Sequence, residues 1–200
     1  GLAWAGNPHH KKDATRSIAW EQFATLTGLD NIDYICLQVE PRAEDCRGSG
    51  VISLGDQLSD CAATAAVIGQ LDLVITVDTA VAHLAGALGK PTWVLVSTVP
   101  DWRWQLNRAD SPWYPTVKLY RQRTGEEGWP STLERVKHDL AKRLACKKPL
   151  RLRRHFHPEL GDAGDHAAAV LVHADVAAGR HRPVAAEQVK AVVIKRLARR

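Results

Sequence analysis

The chain has 200 residues, 45% of them hydrophobic, and carries 27 Lys and Arg against 22 Asp and Glu for a formal net charge of +5. That length suits one or two modest cores, and no apolar run reaches the roughly 20 residues that a membrane-spanning helix needs. Four cysteines, Cys36, Cys46, Cys61 and Cys146, show neither C-x-x-C spacing nor the density of a disulfide scaffold, so they read as reduced thiols of a cytoplasmic protein.

The charge is concentrated at one end. Residues 147–200 hold 12 Lys and Arg against 5 Asp and Glu, a net of +7, which leaves 15 against 17, a net of −2, for residues 1–146. All 7 Trp lie before residue 147, and the tail has no Ser, Thr, Asn, Cys, Trp or Tyr. Such a shift marks a domain boundary, giving an α/β domain over 1–146 and a basic tail over 147–200. The chain opens on GLAWAG, which reads as a strand rather than a leader, and it contains no Met, so further residues are expected upstream.

In chain order, GLAWAGN predicts a short buried strand that turns at Gly6-Asn7 into the polar loop PHHKKDATR. Lys11, Lys12 and Arg16 lie in this loop, where they either neutralise an anion or are simply solvated. His9-His10 is not read as a metal site, because adjacent His side chains rarely converge on one ion and no third ligand has suitable spacing. Ser17 to Leu29 carries Ile18, Phe23, Leu26 and Leu29 near helical spacing and predicts a packing helix. IDYICLQV predicts the second strand, and VISLG predicts the third. Ser59 is the expected cap of the helix in DCAATAAVIGQL.

LDLVITV is a continuous apolar, β-branched run, as expected of a parallel strand covered on both faces. Asp78-Thr79 follow as N-cap residues, then Val81, Leu84, Ala85 and Leu88 at helical spacing, with Gly89 and Pro91 to end the helix before the strand TWVLV. In such a crossover the N–H groups of Ala80 and Val81, with the Thr79 hydroxyl, point beyond the strand ends and can hold a phosphate or diphosphate without a metal ion. The long segment VPDWRWQLNRADSPWYP places Trp102, Trp104, Trp113 and Tyr114 among polar groups, either to stack a sugar or base or to pack an irregular loop. Arg103 beside two indoles suits a phosphate or a neighbouring carboxylate. VKLYR predicts the last strand. In the following helix, Ser131 and Glu134 form a capping box, and Leu133, Val136, Leu140 and Leu144 form an apolar stripe.

Strands and helices thus alternate about five times, which predicts a doubly wound parallel sheet with its ligand at the carboxyl ends of the strands. No G-x-G-x-x-G follows the first strand and no G-x-x-x-x-G-K-[ST] occurs, so dinucleotide oxidoreductase and P-loop readings lose their main support.

The pattern D-T-x-x-x-H-L-A-x-A-x-x-x-P, formed by Asp78, Thr79, His83, Leu84, Ala85, Ala87 and Pro91, resembles the nucleotide-sugar-binding half of glycosyltransferase family nine, the heptosyltransferase type. The segment Pro100 to Gln122 looks like its counterpart in glycosyltransferases fused to tetratricopeptide repeats. The resemblance implies the Rossmann-like C-terminal half of a GT-B fold. It also implies a nucleoside-diphosphate sugar as substrate, no resident cofactor or metal, and a general base supplied by an N-terminal half that this sequence lacks. It assigns the donor diphosphate to Asp78, Thr79, Ala80, Val81 and His83, with a loop cation from Lys11, Lys12 or Arg16. Gln38 or Glu40 falls where the ribose or base is met, and Arg103 with Trp102 is a possible sugar or phosphate contact. His83 is expected to act as a hydrogen-bond donor rather than a general base, the alternative being a packed histidine. One departure is Ala80, where the family usually has Gly; its methyl limits the approach of a phosphate to the backbone.

The acceptor is left open. The other reading is a non-catalytic remnant that serves as a nucleotide-binding or interaction module. For the tail, AAEQVKAVVIKRLARR has the pattern of a basic amphipathic helix, but it lacks aromatics and any nucleic-acid motif, so no specific nucleic-acid partner is expected. A shifted reading frame is the alternative origin of these residues.

Overall fold

The structure, a computed structural model, describes residues 1–39, 42–54, 57–125 and 128–146. Glu40 and the tail 147–200 lie outside the described residues. In chain order come β1 (Leu2–Ala3), α1 (Asp13–Arg16), α2 (Trp20–Phe23), β2 (Ile35–Cys36), β3 (Ile52–Ser53) and α3 (Cys61–Gly69). They are followed by β4 (Val74–Val77), α4 (Ala80–Ala87), β5 (Thr92–Val96), β6 (Val117–Arg121) and α5 (Pro130–Cys146). Short 3-10 turns cover Ala24–Thr27, Arg42–Cys46 and Trp102–Trp104.

All six strands are parallel, in the order β3-β2-β1-β4-β5-β6. The chain builds outward from β1 to β3, then returns to the centre and builds the other way from β4. This is the doubly wound arrangement that the alternation of strands and helices predicts, and it puts the topological switch point between β1 and β4. Alternate strand residues serve opposite faces. Leu2, Trp4, Ile75, Val77, Trp93 and Leu95 pack with Phe23, Leu26 and the α5 residues Leu133, Val136 and Leu140. Ala3, Ile35 and Val74 pack with Val67 and Ile68 of α3 and Ala85 of α4. Helices therefore cover both faces, which explains why the central strands read as unbroken apolar runs.

Several local expectations are corrected. The predicted helix from Ser17 does not form there, because Ser17 is extended (φ −80°, ψ 147°) and closes α1 instead. Its hydroxyl donates to Asp13 Oδ1 at 2.7 Å and accepts from the Gly6 N–H at 2.9 Å. The helix starts three residues later, at Trp20, and gives way to a 3-10 turn at Ala24. Asp60 rather than Ser59 caps α3, accepting from the Ala63 N–H at 2.7 Å.

Helix α5 begins at Pro130, whose fixed φ suits the first helical position, and the Trp129 carbonyl accepts from the Leu133 N–H at 2.9 Å. Trp129 thus occupies the N-cap place and Ser131 lies inside the first turn, so the predicted Ser131–Glu134 box is displaced. The apolar stripe of α5 does form, with Leu133, Val136 and Leu140 buried. Asp139 ties α5 to β6, accepting from the Tyr120 hydroxyl at 2.8 Å and Lys118 Nζ at 2.5 Å.

Helix α4 ends as its sequence predicts. Gly89 is left-handed at φ +65°, its N–H donates to the Gly86 carbonyl at 3.0 Å, and the Lys90 N–H donates to Ala85 at 3.0 Å. That pair of bonds is the Schellman ending, which glycine accommodates without strain. Among the described residues, no helix is long and apolar enough to cross a membrane, and none of the four cysteines is in a disulfide.

Candidate functional site

A cleft of about 220 Å³ lies beyond the strand ends at the switch point, between the β1–α1 loop, the β4–α4 turn and the segment after β5. His10, Lys12, Arg16 and Arg103 line it as bases, opposed by Asp78 and Asp101, and Thr79, Ala80, His83 and Ser97 complete the polar wall.

The β4–α4 turn supplies the floor. Thr79 takes the N-cap position in extended conformation, but its side chain makes no cap bond. The Thr79 hydroxyl lies 3.1 Å from that of buried Thr76, which itself donates to the Val77 carbonyl at 2.9 Å. The first-turn N–H groups of α4 are thereby left uncapped by a side chain, at the positive end of the helix dipole. The sequence correctly places Thr79 at the helix start, but the contact to Thr76 replaces the expected cap.

The β1–α1 loop is held in place by buried charge. Asp13 is buried, and its carboxylate accepts from the Ser17 hydroxyl and from Arg42 Nη2 at 3.2 Å, with Arg16 Nε 3.6 Å away. Arg16 reaches across the switch point and donates Nη1 to the Asp78 carbonyl at 3.1 Å. Its guanidinium lies so close over the end of β1 that a Cβ at Gly6 would fall 2.6 Å from Nη2. A side chain at position 6 would have to displace the ends of the Arg16 and Asp13 side chains. Arg16 therefore both lines the cleft and locks the two loops that form it.

The Trp-rich segment forms the third wall. Trp104 is fully buried. Arg121, at the end of β6, donates to the carbonyls of Trp104 and of Arg108, fixing the segment to the sheet. Asp101 caps the 3-10 turn, accepting from the Arg103 N–H at 3.0 Å and from Arg103 Nη1 at 2.9 Å. Burial pushes the Asp101 carboxyl up, but the bonds from Arg103 outweigh it and hold the group below the usual carboxylate range. The Arg103 guanidinium lies 4.8 Å from the Trp102 ring centre. Trp102 and Trp113 meet edge-on at 6.2 Å and are exposed, outside the cleft at its rim.

His83 is central to the wall, one turn into α4. Its ring stacks on Trp104, with centroids 5.1 Å apart and planes at 15°. Nδ1 lies 3.2 Å from the Tyr114 hydroxyl, and Nε2 lies 3.9 Å from Asp78 Oδ1. Burial pushes the imidazole below its usual 6.5; the Asp78 carboxylate opposes this, Arg103 adds to it and Asp101 opposes it. Because the unfolded chain binds this proton at a higher pH than the fold does, the contribution to stability is present above pH 6.5 and is lost as pH falls through the lowered value. A His83→Ala variant is expected to show a shallower loss of melting temperature on the acid side of pH 6.5. Equal acid sensitivity in the two proteins would exclude His83 as its source.

The structure brings together Asp78, Thr79, Ala80, His83, Lys12, Arg16 and Arg103, so that residues from loops 20 to 91 positions apart in the chain face one cleft only after folding. Lys11 is exposed and stands outside the lining. The Val81 side chain packs against the α3–α4 core rather than the cleft. Gln38 is buried, and its Oε1 accepts from the Ala5 N–H at 3.2 Å, joining the ends of β1 and β2. Sequence reasoning missed His10, Thr15, Ser97, Val99 and Asp101 in the lining, His10 having been read as a surface residue. Asp101 had a legible signal, an Asp two residues before an Arg at a turn start; Ser97 and Thr15 had none. Among the described residues, no three His, Cys, Asp or Glu side chains group as a metal site.

The fold and this cleft define a doubly wound α/β domain with a predominantly basic crevice at its switch point. Residues 59–124 match the model of glycosyltransferase family 9 (heptosyltransferase), a span that covers α3 to β6 and contains the whole β4–α4 turn. The matched segment is similar to glycosyltransferase family nine, and glycosyl transfer is the general chemistry that this similarity supports. No curated protein and no solved structure matches the chain.

Proposed function

We propose that residues 1–146 form the donor-binding half of a GT-B glycosyltransferase that holds a nucleoside-diphosphate sugar and stabilises the departing diphosphate. The observation that carries this reading is the convergence, on one cleft, of the α4 helix start with Lys12, Arg16, Arg103 and His83. Negative charge grows on the diphosphate as the sugar–phosphate bond breaks, and prearranged N–H groups and cations stabilise it where it develops. The cleft, at about 220 Å³, is smaller than the roughly 300–1,000 Å³ of most ligand pockets, so it suits the diphosphate and the nearest part of the sugar. An opposing domain would complete the site and supply the general base for the acceptor hydroxyl. Arg103 and Trp102 then meet the sugar or a phosphate at the rim, and Gln38 or Glu40 meets the nucleoside. The reading includes a cytoplasmic enzyme, a tetratricopeptide-repeat association, and no requirement for a metal or other cofactor.

A second reading is a non-catalytic nucleotide-binding or interaction module, favoured by the exposure of Val99, Trp102, Leu106 and Trp113 beside the cleft. Titration with ADP, UDP and GDP separates the two. Lys12→Ala should weaken binding of the preferred diphosphate about fivefold, near 1 kcal/mol for an exposed cation close to a phosphate, whereas Lys11→Ala should change it little. Equal losses in the two variants would refute the site. Failure of all three nucleotides to raise the melting temperature at millimolar concentration would refute donor binding itself.

A further inference from the structure

We infer that Tyr114 is a positioning residue that keeps the proton of His83 on Nε2, so that the ring presents a hydrogen-bond donor to the cleft. The use of that donor on a diphosphate oxygen rests on the donor-site reading above; the placement of the proton does not.

Three contacts hold the ring. Trp104 stacks beneath it at 5.1 Å, the Tyr114 ring meets it edge-on at 5.8 Å, and the Tyr114 hydroxyl reaches Nδ1 at 3.2 Å. Rotation about the side chain would break the stack and the hydrogen bond together. Tyr114 is itself fixed on two sides. Its carbonyl accepts from the Val117 N–H at 3.0 Å where β6 begins. Its ring lies against Gly86 on the next turn of α4, so close that a Cβ there would fall 2.6 Å from the ring. Glycine at 86 is what lets the tyrosine approach the helix carrying His83.

The direction of the bond follows from the other nitrogen. Nε2 lies 3.9 Å from the Asp78 carboxylate. With the proton on Nδ1, the Nε2 lone pair would face that negative oxygen, which is electrostatically unfavourable. With the proton on Nε2, the ring offers a positive edge to Asp78, and bare Nδ1 accepts the Tyr114 O–H. Desolvation keeps the ring neutral, so only one nitrogen carries a proton and the choice between them matters. A diphosphate oxygen, having only lone pairs, can use Nε2–H and not the other tautomer. The Asp78 carboxylate therefore favours the state of His83 that suits an anion, and the Tyr114 hydroxyl, 31 positions away in the sequence, supports that state by donating to bare Nδ1.

The test uses the full chain, uniformly labelled with nitrogen-15, above pH 7. Long-range nitrogen–proton correlation spectra should show His83 protonated at Nε2 and bare at Nδ1, and in Tyr114→Phe the Nδ1 signal should lose its hydrogen-bonded shift. Because Phe keeps the ring on Gly86, the variant should melt within a few degrees of the parent. Its affinity for whichever of ADP, UDP or GDP binds best should fall about threefold to tenfold, as for one neutral hydrogen bond. In a His83→Ala background, the same substitution should have no further effect on affinity. A proton on Nδ1, an unchanged His83 spectrum in Tyr114→Phe, or an undiminished effect in the His83→Ala background would each overturn the inference. If no nucleotide binds, the spectra still decide where the proton lies, and only the donor-site reading fails.

Discussion

Trp104→Ala is expected to lower the unfolding free energy by about 3–5 kcal/mol, the usual cost of truncating a large aromatic in a packed interior. The indole has no exposure and packs with Val94, Val96, Val117, Leu119 and Ala82, where sheet, helix and Trp-rich segment meet. For a domain of this size, the loss corresponds to a fall in melting temperature on the order of 10 °C. His83 would also lose its stacking partner, and nucleotide affinity should drop even at temperatures where the variant remains folded. A loss under about 1 kcal/mol in chemical denaturation would contradict this role, since it would mean that the segment repacks freely.

Asp13→Ala should cost about 2–4 kcal/mol, because removing one member of a buried charged cluster leaves the others without compensation. The carboxylate side chain is 8% exposed, while Arg16 and Arg42, which pair with it, are 19% and 35% exposed. Without it, Ser17 loses its acceptor, and the guanidinium groups of Arg16 and Arg42 lose their counter-charge. Asp13→Asn keeps the shape and the acceptor oxygen, so it should cost about half as much. The check is the urea midpoint at unchanged slope, which isolates stability from a change in compactness. If Asn and Ala proved equally damaging, charge rather than hydrogen bonding would hold the loop; if neither mattered, the cluster would be ornamental and Arg16 would be free to serve a ligand alone.

The two variants probe the same principle from opposite walls. A cleft between loops keeps its shape only when each loop is bound to the sheet, and here Arg16 clasps one wall through the Asp78 carbonyl while Arg121 clasps the other through Trp104 and Arg108. Of the cations predicted to meet a phosphate, the one most deeply placed also has a structural duty. Lys12 has no such duty on its ammonium and is the better probe of ligand charge.

The sequence by itself determined the class of fold. Short, β-branched apolar runs bounded by turn residues read as strands covered on both faces, and helices alternating with them favour parallel pairing, so the doubly wound sheet was legible from LDLVITV and TWVLV without any contact. It also determined the β4–α4 turn, the Gly89 ending of α4 and the α5 stripe, since each depends on residues within a few positions of one another. Choices between adjacent cap candidates were decided by tertiary structure: Ser17 was drawn to Asp13 and Gly6, Asp60 rather than Ser59 faced the first turn of α3, and Thr79 turned to Thr76. So were the partners of His83, because the Tyr114 hydroxyl, the Trp104 face and the space over Gly86 come from segments that no local periodicity relates. Spacing along a chain specifies which way a side chain points; what it meets is set by the packing of distant segments, and that is where the proton of His83 and the cations of the cleft acquire their roles.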